Sequence, residues 1–143
     1  MISPKTLTHV FAACCLAVTL VGCNSMGGKS PEEAINDALD TYQTGLVEQN
    51  VDTIMLAFAE NFEHYEWGDK AGAREFMSQA ADMGYLEDIE LIRDEMELEI
   101  EGDSAVAYPI DLEGSFGALT LELTFGKQDD GAWLITGLDA AGL

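Results

Sequence analysis

The chain has 143 residues, of which 27 are acidic and six are lysine or arginine, so its formal net charge at pH 7 is −21. A surface this negative repels the phosphates of nucleic acids and anionic membranes, so we expect neither as a direct partner. All three cysteines lie within the first 23 residues, which leaves none to form a disulfide in the rest of the chain.

The N-terminal segment has the pattern of a secretory signal peptide. Lys5 is the only charged residue in residues 1–22, and residues 10–22, VFAACCLAVTLVG, carry no charge at all. A membrane-spanning helix needs about 20 apolar residues, so this run is short for a permanent anchor. It is also apolar on every face, unlike a surface helix of a folded domain. We therefore expect residues 1–22 to be a signal peptide.

Cys23 lies where the apolar run gives way to a small, polar, glycine-rich strip. Residues 20–23, LVGC, resemble the bacterial lipoprotein signal, in which a small residue precedes a cysteine that is diacylated and becomes the new N-terminus. The resemblance implies that Cys23 is the site of lipid attachment and that residues 23–30 form a lipidated tether.

Lipidation agrees with the charge of the remaining chain. Cleavage would remove one lysine and no acidic residue, which leaves a formal charge of −22. Acyl chains would hold so acidic a protein at a bilayer. Asn24 replaces the aspartate that is associated with inner-membrane retention. We therefore expect a bacterial cell-envelope protein, anchored at the outer membrane and facing the periplasm.

Three helices and a short strand are predicted in the first half of the folded domain. Ser30, Pro31 and Glu33 form a capping box, and apolar residues then recur every three or four positions, which predicts a helix over 31–49. Asn50 begins a second, short helix, and a short strand is expected over 62–67. Asp69 caps a third helix that stops at Gly84.

The second half of the chain alternates between apolar and polar residues, which predicts antiparallel strands. The alternating apolar residues are Met96, Leu98 and Ile100, then Val106, Tyr108, Ile110 and Leu112, then Leu119, Leu121, Leu123 and Phe125. Residues 128–131, QDDG, signal a hairpin turn before a last strand from Trp133 to Leu138. Pro109 marks a bulge or an edge. Helices followed by strands give an α+β fold, with the helices on one face of a curved sheet.

Residues 31–138 resemble the nuclear transport factor 2-like superfamily. The most telling segments are VDTIM at 51–55, FAENF at 58–62 and GAW at 131–133. The resemblance implies a nuclear transport factor 2-like domain over 31–143, in which a cone-shaped, curved antiparallel sheet packs against three N-terminal helices around a pocket. Members include isomerases, dehydratases, cyclases and non-catalytic binding modules, so the fold alone does not decide the function.

Similarity to the proton-shuttling isomerases of this superfamily suggests candidate catalytic residues. It places Tyr42 as the oxyanion donor and Glu66 as the base, with His64 on the same strand face as Glu66. The second, protonated carboxyl of those enzymes is missing, because Leu121 stands at the matching position. The residues that we expect to bind a ligand are Tyr42, Phe58, His64, Glu66, Tyr108 and Trp133.

No metal or other cofactor is expected. His9 lies in the segment that we expect to be removed, so no pair of histidines remains for zinc. Glu97, Glu99 and Glu101 alternate along one strand, about 6.6 Å apart, which is too wide for one calcium ion to bind all three.

The sequence thus predicts a lipid-anchored envelope protein that binds a small apolar ligand or a protein partner without catalysis. A SnoaL-like isomerase or dehydratase, with a Tyr-His-Glu pocket, is the alternative. A homodimer through the open sheet face, which carries Thr120, Glu122 and Thr124, is a third hypothesis.

Overall fold

The first half of the domain is helical and the second half is a sheet. The structure is a computed structural model that describes residues 28–142. The predicted signal peptide, Cys23 and all but residues 28–30 of the tether lie outside the described residues. The elements are α1 (Pro31–Val47), α2 (Val51–Leu56), β1 (Glu63–His64), β2 (Gly68–Asp69), α3 (Lys70–Asp82), β3 (Glu90–Ile92), β4 (Glu97–Glu101), β5 (Ser104–Gly114), β6 (Gly117–Lys127) and β7 (Trp133–Ala141).

Side-chain caps begin all three helices, as the sequence predicts. The capping box of α1 is complete, since the Glu33 amide donates to Ser30 Oγ at 3.2 Å and the Ser30 amide donates to Glu33 Oε2 at 2.9 Å. Asn50 and Asp69 accept backbone amides at the starts of α2 and α3. Each cap satisfies an amide that has no partner within its helix, which fixes where the helix begins.

The long strands form one antiparallel sheet in the order β3-β5-β6-β7, with β4 also paired to β5. β5 shows a register shift between Ala107 and Ile110, so the predicted bulge at Pro109 is confirmed. Proline has no amide hydrogen to donate to a neighbouring strand, and here it stands between the part of β5 that pairs with β4 and the part that pairs with β3.

The helices cover one face of this curved sheet and enclose the core with it. Backbone hydrogen bonds join the end of α2 to β7: the Ala59 amide donates to the Ile135 carbonyl, and the Ile135 amide donates to the Ala57 carbonyl. Large, fully buried side chains of the core include Tyr42, Phe58, Phe62, Phe125, Ile35, Leu39, Leu46, Ile54, Met55, Ile110, Leu123 and Ile135. The predicted α+β architecture, with three N-terminal helices on a curved sheet, is confirmed.

The predicted strand over 62–67 is much shorter in the structure. Only Glu63 and His64 are extended, and they pair with Gly68 and Asp69 in a small separate hairpin. The ring nitrogen Nδ1 of His64 accepts the amides of Glu66 and Trp67 at 3.1 and 3.2 Å, and these bonds close a turn. The prediction that Glu66 shares a strand face with His64 is therefore wrong, because Glu66 lies in the turn.

The face of the sheet away from the helices is strongly acidic. Glu113 lies directly opposite Glu90, and Glu122 lies directly opposite Asp139. Like charges in such cross-strand pairs repel each other. The predicted homodimer through this face stays a prediction, and its formation would bring more carboxylates together and therefore require screening by salt.

Candidate functional site

A largely apolar cavity of about 470 Å³ opens between the helices and the sheet. The helix α1 contributes Tyr42 and Leu46 to its wall. The other lining residues come from α3 and the segment after it, from the sheet and from the turn between β5 and β6: Phe76, Met77, Gln79, Ala80, Met83, Tyr85, Leu86, Ile89, Leu112, Phe116 and Leu119. Its volume is within the range of ligand sites in proteins, and its lining is of the kind that such sites use.

One side of the cavity is shaped by the way α3 ends. Met83 is the C-cap, and Gly84 follows it with φ +78°, a conformation that glycine adopts without strain. The Tyr85 amide donates to the Ala80 carbonyl at 2.9 Å and the Gly84 amide donates to the Ala81 carbonyl at 3.0 Å. This is a Schellman motif, and it holds Tyr85 close to Ala80, so that both residues line the cavity.

The opening of the cavity is marked by three exposed apolar or aromatic lining residues, which we call the mouth: Phe76, Met83 and Tyr85. Their exposed fractions are 42%, 63% and 44%. Ser115, in the turn between β5 and β6, donates its hydroxyl to the Gly84 carbonyl at 3.2 Å. This bond joins the turn that carries Phe116 to the loop that carries Met83 and Tyr85, so it links two sides of the cavity.

Tyr42 is the only buried residue of the lining that has a polar side-chain group. Its ring meets Phe58 edge-on, with the centroids 5.8 Å apart. Burial disfavours the phenolate, so it raises the pKa of Tyr42 well above the ordinary value of about 10. The hydroxyl therefore keeps its proton at neutral pH.

We expect the buried phenol to make the fold sensitive to alkali. The folded-state pKa of Tyr42 lies above the unfolded value, so its contribution to stability is complete below about pH 10 and is lost as the pH rises above it. The loss should approach about 1.4 kcal/mol per pH unit in that range. Urea unfolding at about pH 8 and about pH 11 should show a smaller loss in Tyr42→Phe than in the natural chain. Equal losses in both would contradict this assignment.

The structure separates the other predicted site residues from this cavity. Phe58 is fully buried behind Tyr42, with its ring also against Phe62 at 4.9 Å. Tyr108 is half-exposed on β5, opposite Glu97. Trp133 is buried at the start of β7 and lines a different cavity of about 490 Å³, which also contacts Lys29. Of the six predicted ligand-binding residues, only Tyr42 is part of the lining.

His64 and Glu66 belong to the small hairpin. The His64 ring stacks on Trp67, with centroids 4.1 Å apart, and Trp67 stacks on Phe76 at 4.3 Å. Since Nδ1 of His64 accepts two backbone amides, this nitrogen holds the turn in place. Glu66 is exposed in that turn. A depression of about 550 Å³ beside the hairpin touches His64 but is formed mainly by exposed residues.

The lining residues on α3 could be found only in part from the sequence. Met77 and Ala80 belong to the predicted apolar stripe of that helix, but periodicity does not distinguish a residue that fills the core from one that borders a cavity. Leu86 and Ile89 lie in an acidic loop that has no regular pattern. No three histidine, cysteine, aspartate or glutamate side chains in residues 28–142 are placed to bind a metal ion together.

Comparisons with known proteins give a clear answer on the fold. The chain is similar to a candidate ketosteroid isomerase from Shewanella frigidimarina NCIMB 400, with 23% identity, 76% of this chain and 94% of that chain covered, and a TM-score of 0.62. A nuclear transport factor 2-like protein of unknown function from Shewanella oneidensis MR-1 has 15% identity, with 79% and 100% of the two chains covered and a TM-score of 0.63.

A third similar structure is a nuclear transport factor 2-like protein of unknown function from Pseudomonas putida KT2440. It has 11% identity and a TM-score of 0.65, with 78% of this chain and 86% of that chain covered. The chain has the nuclear transport factor 2-like fold. No protein-family model matches the sequence, and no curated protein matches it. Since all three structures are less than 25% identical to this chain, the likeness extends to the fold alone.

Proposed function

We propose that this nuclear transport factor 2-like domain binds a small apolar molecule, without catalysis, in the cavity beside Tyr42. The observation that carries the proposal is the cavity itself, with a volume of about 470 Å³ and no charged residue in its lining. Apolar surface gains free energy when it leaves water, at about 25 cal/mol per Å². The protonated Tyr42 hydroxyl offers one hydrogen bond inside, which would orient a ligand that carries an acceptor.

Binding without catalysis is favoured over the isomerase alternative by the position of the candidate base. Proton abstraction needs a carboxylate or imidazole within hydrogen-bond reach of the substrate. Glu66 and His64 do not line the cavity, and none of the lining residues is acidic or a histidine. Tyr42 is the one feature that the isomerase hypothesis retains.

A neutral fluorescent probe tests ligand binding directly. N-phenyl-1-naphthylamine is expected to bind the mature chain, residues 23–143, carrying Cys23→Ala, because this form lacks both the predicted signal peptide and the predicted lipid and therefore needs no detergent. Ala80→Phe places a ring in the cavity, because Ala80 is buried and lines it. We expect the affinity to fall by about tenfold or more, since a bulky side chain displaces the apolar contact area of the probe.

Ala71→Phe is the matched control for this variant. Ala71 lies on the same helix, but it is exposed and does not line the cavity. It should leave the affinity unchanged, and circular dichroism should show that both variants are folded. If Ala80→Phe is folded and binds the probe with the same affinity as the chain that keeps Ala80, the cavity is not the binding site.

We also propose that Cys23 anchors the domain to the bacterial outer membrane, facing the periplasm. The support is the sequence LVGC at residues 20–23 and a charge of −22 in the remaining chain. None of the helices in residues 28–142 has the length and apolar character that crossing a bilayer requires. Labelling with radioactive palmitate should be lost in Cys23→Ala and kept in Cys15→Ala, and label that persists without Cys23 would refute the anchor.

A further inference from the structure

The charges around the cavity are unevenly distributed, and they restrict the ligand. The lining holds no charged residue, but acidic residues stand beside the mouth. Gly84 stands between the mouth residues Met83 and Tyr85 in the chain. The Glu87 carboxylate lies 3.5 Å from the position that a Cβ on Gly84 would occupy. Asp82, also exposed, immediately precedes Met83.

A further carboxylate contacts a lining residue, Gln79. The Gln79 side-chain amide, which belongs to the lining, donates to Glu75 Oε1 at 3.3 Å. Glu75 and Glu87 therefore contact residues of the lining or of its connecting turn, without themselves lining the cavity. Acidic groups at the entrance of a low-dielectric cavity raise the local concentration of cations and lower that of anions.

Positive charges do not offset these carboxylates. Among residues 28–142, no lysine or arginine lines the cavity. Four of the five described lysines and arginines are paired with a carboxylate elsewhere: Lys29 with Asp37, Lys70 with Glu60, Arg74 with Asp52, and Arg93 with Asp40. A bound anion would therefore lack a partner at the mouth, while a cation would find both carboxylates and the aromatic rings of Tyr85 and Phe76.

We propose that the ligand is a cationic amphiphile, whose apolar body fills the cavity while its ammonium head stays at the mouth near Tyr85 and Glu87. The proposal rests on the apolar binding function argued above and adds the chemical class of the ligand. The apolar lining accommodates the body, which escapes water there. The head keeps contact with water and with the acidic groups, so no unpaired charge is buried.

Three probes with the same ten-carbon chain separate the possible classes: decyltrimethylammonium, 1-decanol and decanoate. Each is used at a concentration below micelle formation to displace N-phenyl-1-naphthylamine from the Cys23→Ala chain. The cation should displace it at a concentration about tenfold lower than decanoate and severalfold lower than decanol. At about 1 M salt, where the Debye length is about 3 Å, this preference should shrink.

Substitution of Glu87 locates the charge effect at the mouth. Glu87→Gln should weaken the binding of decyltrimethylammonium on the order of fivefold, about the effect of one charge at contact distance in water, and leave 1-decanol unchanged. Glu87→Lys should remove the preference for the cation altogether. Glu122→Gln is the control, because Glu122 carries the same charge on the outer face of the sheet, and it should change the binding of any probe by less than twofold.

The outcomes distinguish failure of this proposal from failure of the binding function. Equal displacement by the cation and 1-decanol, or stronger displacement by decanoate, would overturn the cationic ligand and leave apolar binding intact. An equal loss in Glu87→Gln and Glu122→Gln would also overturn it, because the attraction would then come from the net charge of the whole domain. If none of the three displaces the probe, the cationic ligand is likewise overturned; if the probe does not bind, or if Ala80→Phe binds it normally, the binding function itself fails.

Discussion

Replacing Phe58 with alanine is expected to lower the free energy of unfolding by about 3–5 kcal/mol. The Phe58 side chain is fully buried and meets the rings of Tyr42 and Phe62 edge-on. It follows Ala57, the C-cap of α2, at the point where the backbone after this helix is hydrogen-bonded to Ile135 of β7. The substitution leaves a cavity where the helical layer and the sheet meet, and the hydrogen-bonded backbone there limits how far the site can collapse.

Phe76→Ala is the comparison for this experiment. The Phe76 ring is 42% exposed and stacks mainly on Trp67, so its removal should cost about 1 kcal/mol. Urea unfolding followed by circular dichroism measures both variants under the same conditions. A typical domain is stable by only about 5–15 kcal/mol, so the Phe58 variant should be marginal. A loss no greater than that of Phe76→Ala would show that Phe58 is not an organising residue of the core.

The sequence predicts the starts of the helices well because each depends on neighbouring residues. Ser30, Asn50 and Asp69 cap their helices through amides three residues away, and that geometry is fixed by the local backbone. The strands β5 to β7 are also predictable, since buried residues alternate with less buried ones along part of each strand.

The small hairpin is not predictable in the same way. A strand is predicted over residues 62–67, but the His64 ring accepts the amides of Glu66 and Trp67 and closes the backbone into a turn. A side chain that competes with strand hydrogen bonds in this way leaves no mark on hydropathy. The strand β3 was not predicted either, because it has only three residues, within an acidic run.

The candidate site depends on packing more than the fold does. Tyr42 follows from the apolar stripe of α1, because that stripe must face the sheet. The cavity beside it exists because α3, the segment after it and the sheet leave a gap there, and the width of a gap between elements is not encoded in the periodicity of any one of them. The hypothesis that Tyr42 and Glu66 face one pocket depends on a strand that continues through residue 66. The chain turns there instead, so Glu66 does not lie beside Tyr42 in the cavity.

A second large effect is expected at the crossing of α1 and α2. Gly45 is buried in α1, and a Cβ at this position would lie 2.5 Å from the backbone nitrogen of Ile54 and 2.9 Å from its Cα. Real Cβ atoms do not approach backbone so closely, so Gly45→Ala must push the two helices apart. Alanine gains about 1 kcal/mol of helix propensity over glycine, which offsets part of the cost. We expect a net loss of about 2–3 kcal/mol in the free energy of unfolding.

Gly137→Ala separates this steric effect from the general effect of replacing glycine. Gly137 lies in β7, where a Cβ would meet the Thr124 side chain at an ordinary distance of 3.5 Å. That variant should be neutral, or more stable by up to about 1 kcal/mol, because alanine restricts the unfolded chain more than glycine does. If both variants unfold at the same urea concentration, the close approach of α1 and α2 does not require glycine. If only Gly45→Ala is destabilised, the absence of a side chain at residue 45 determines how closely the helix that carries Tyr42 packs against α2.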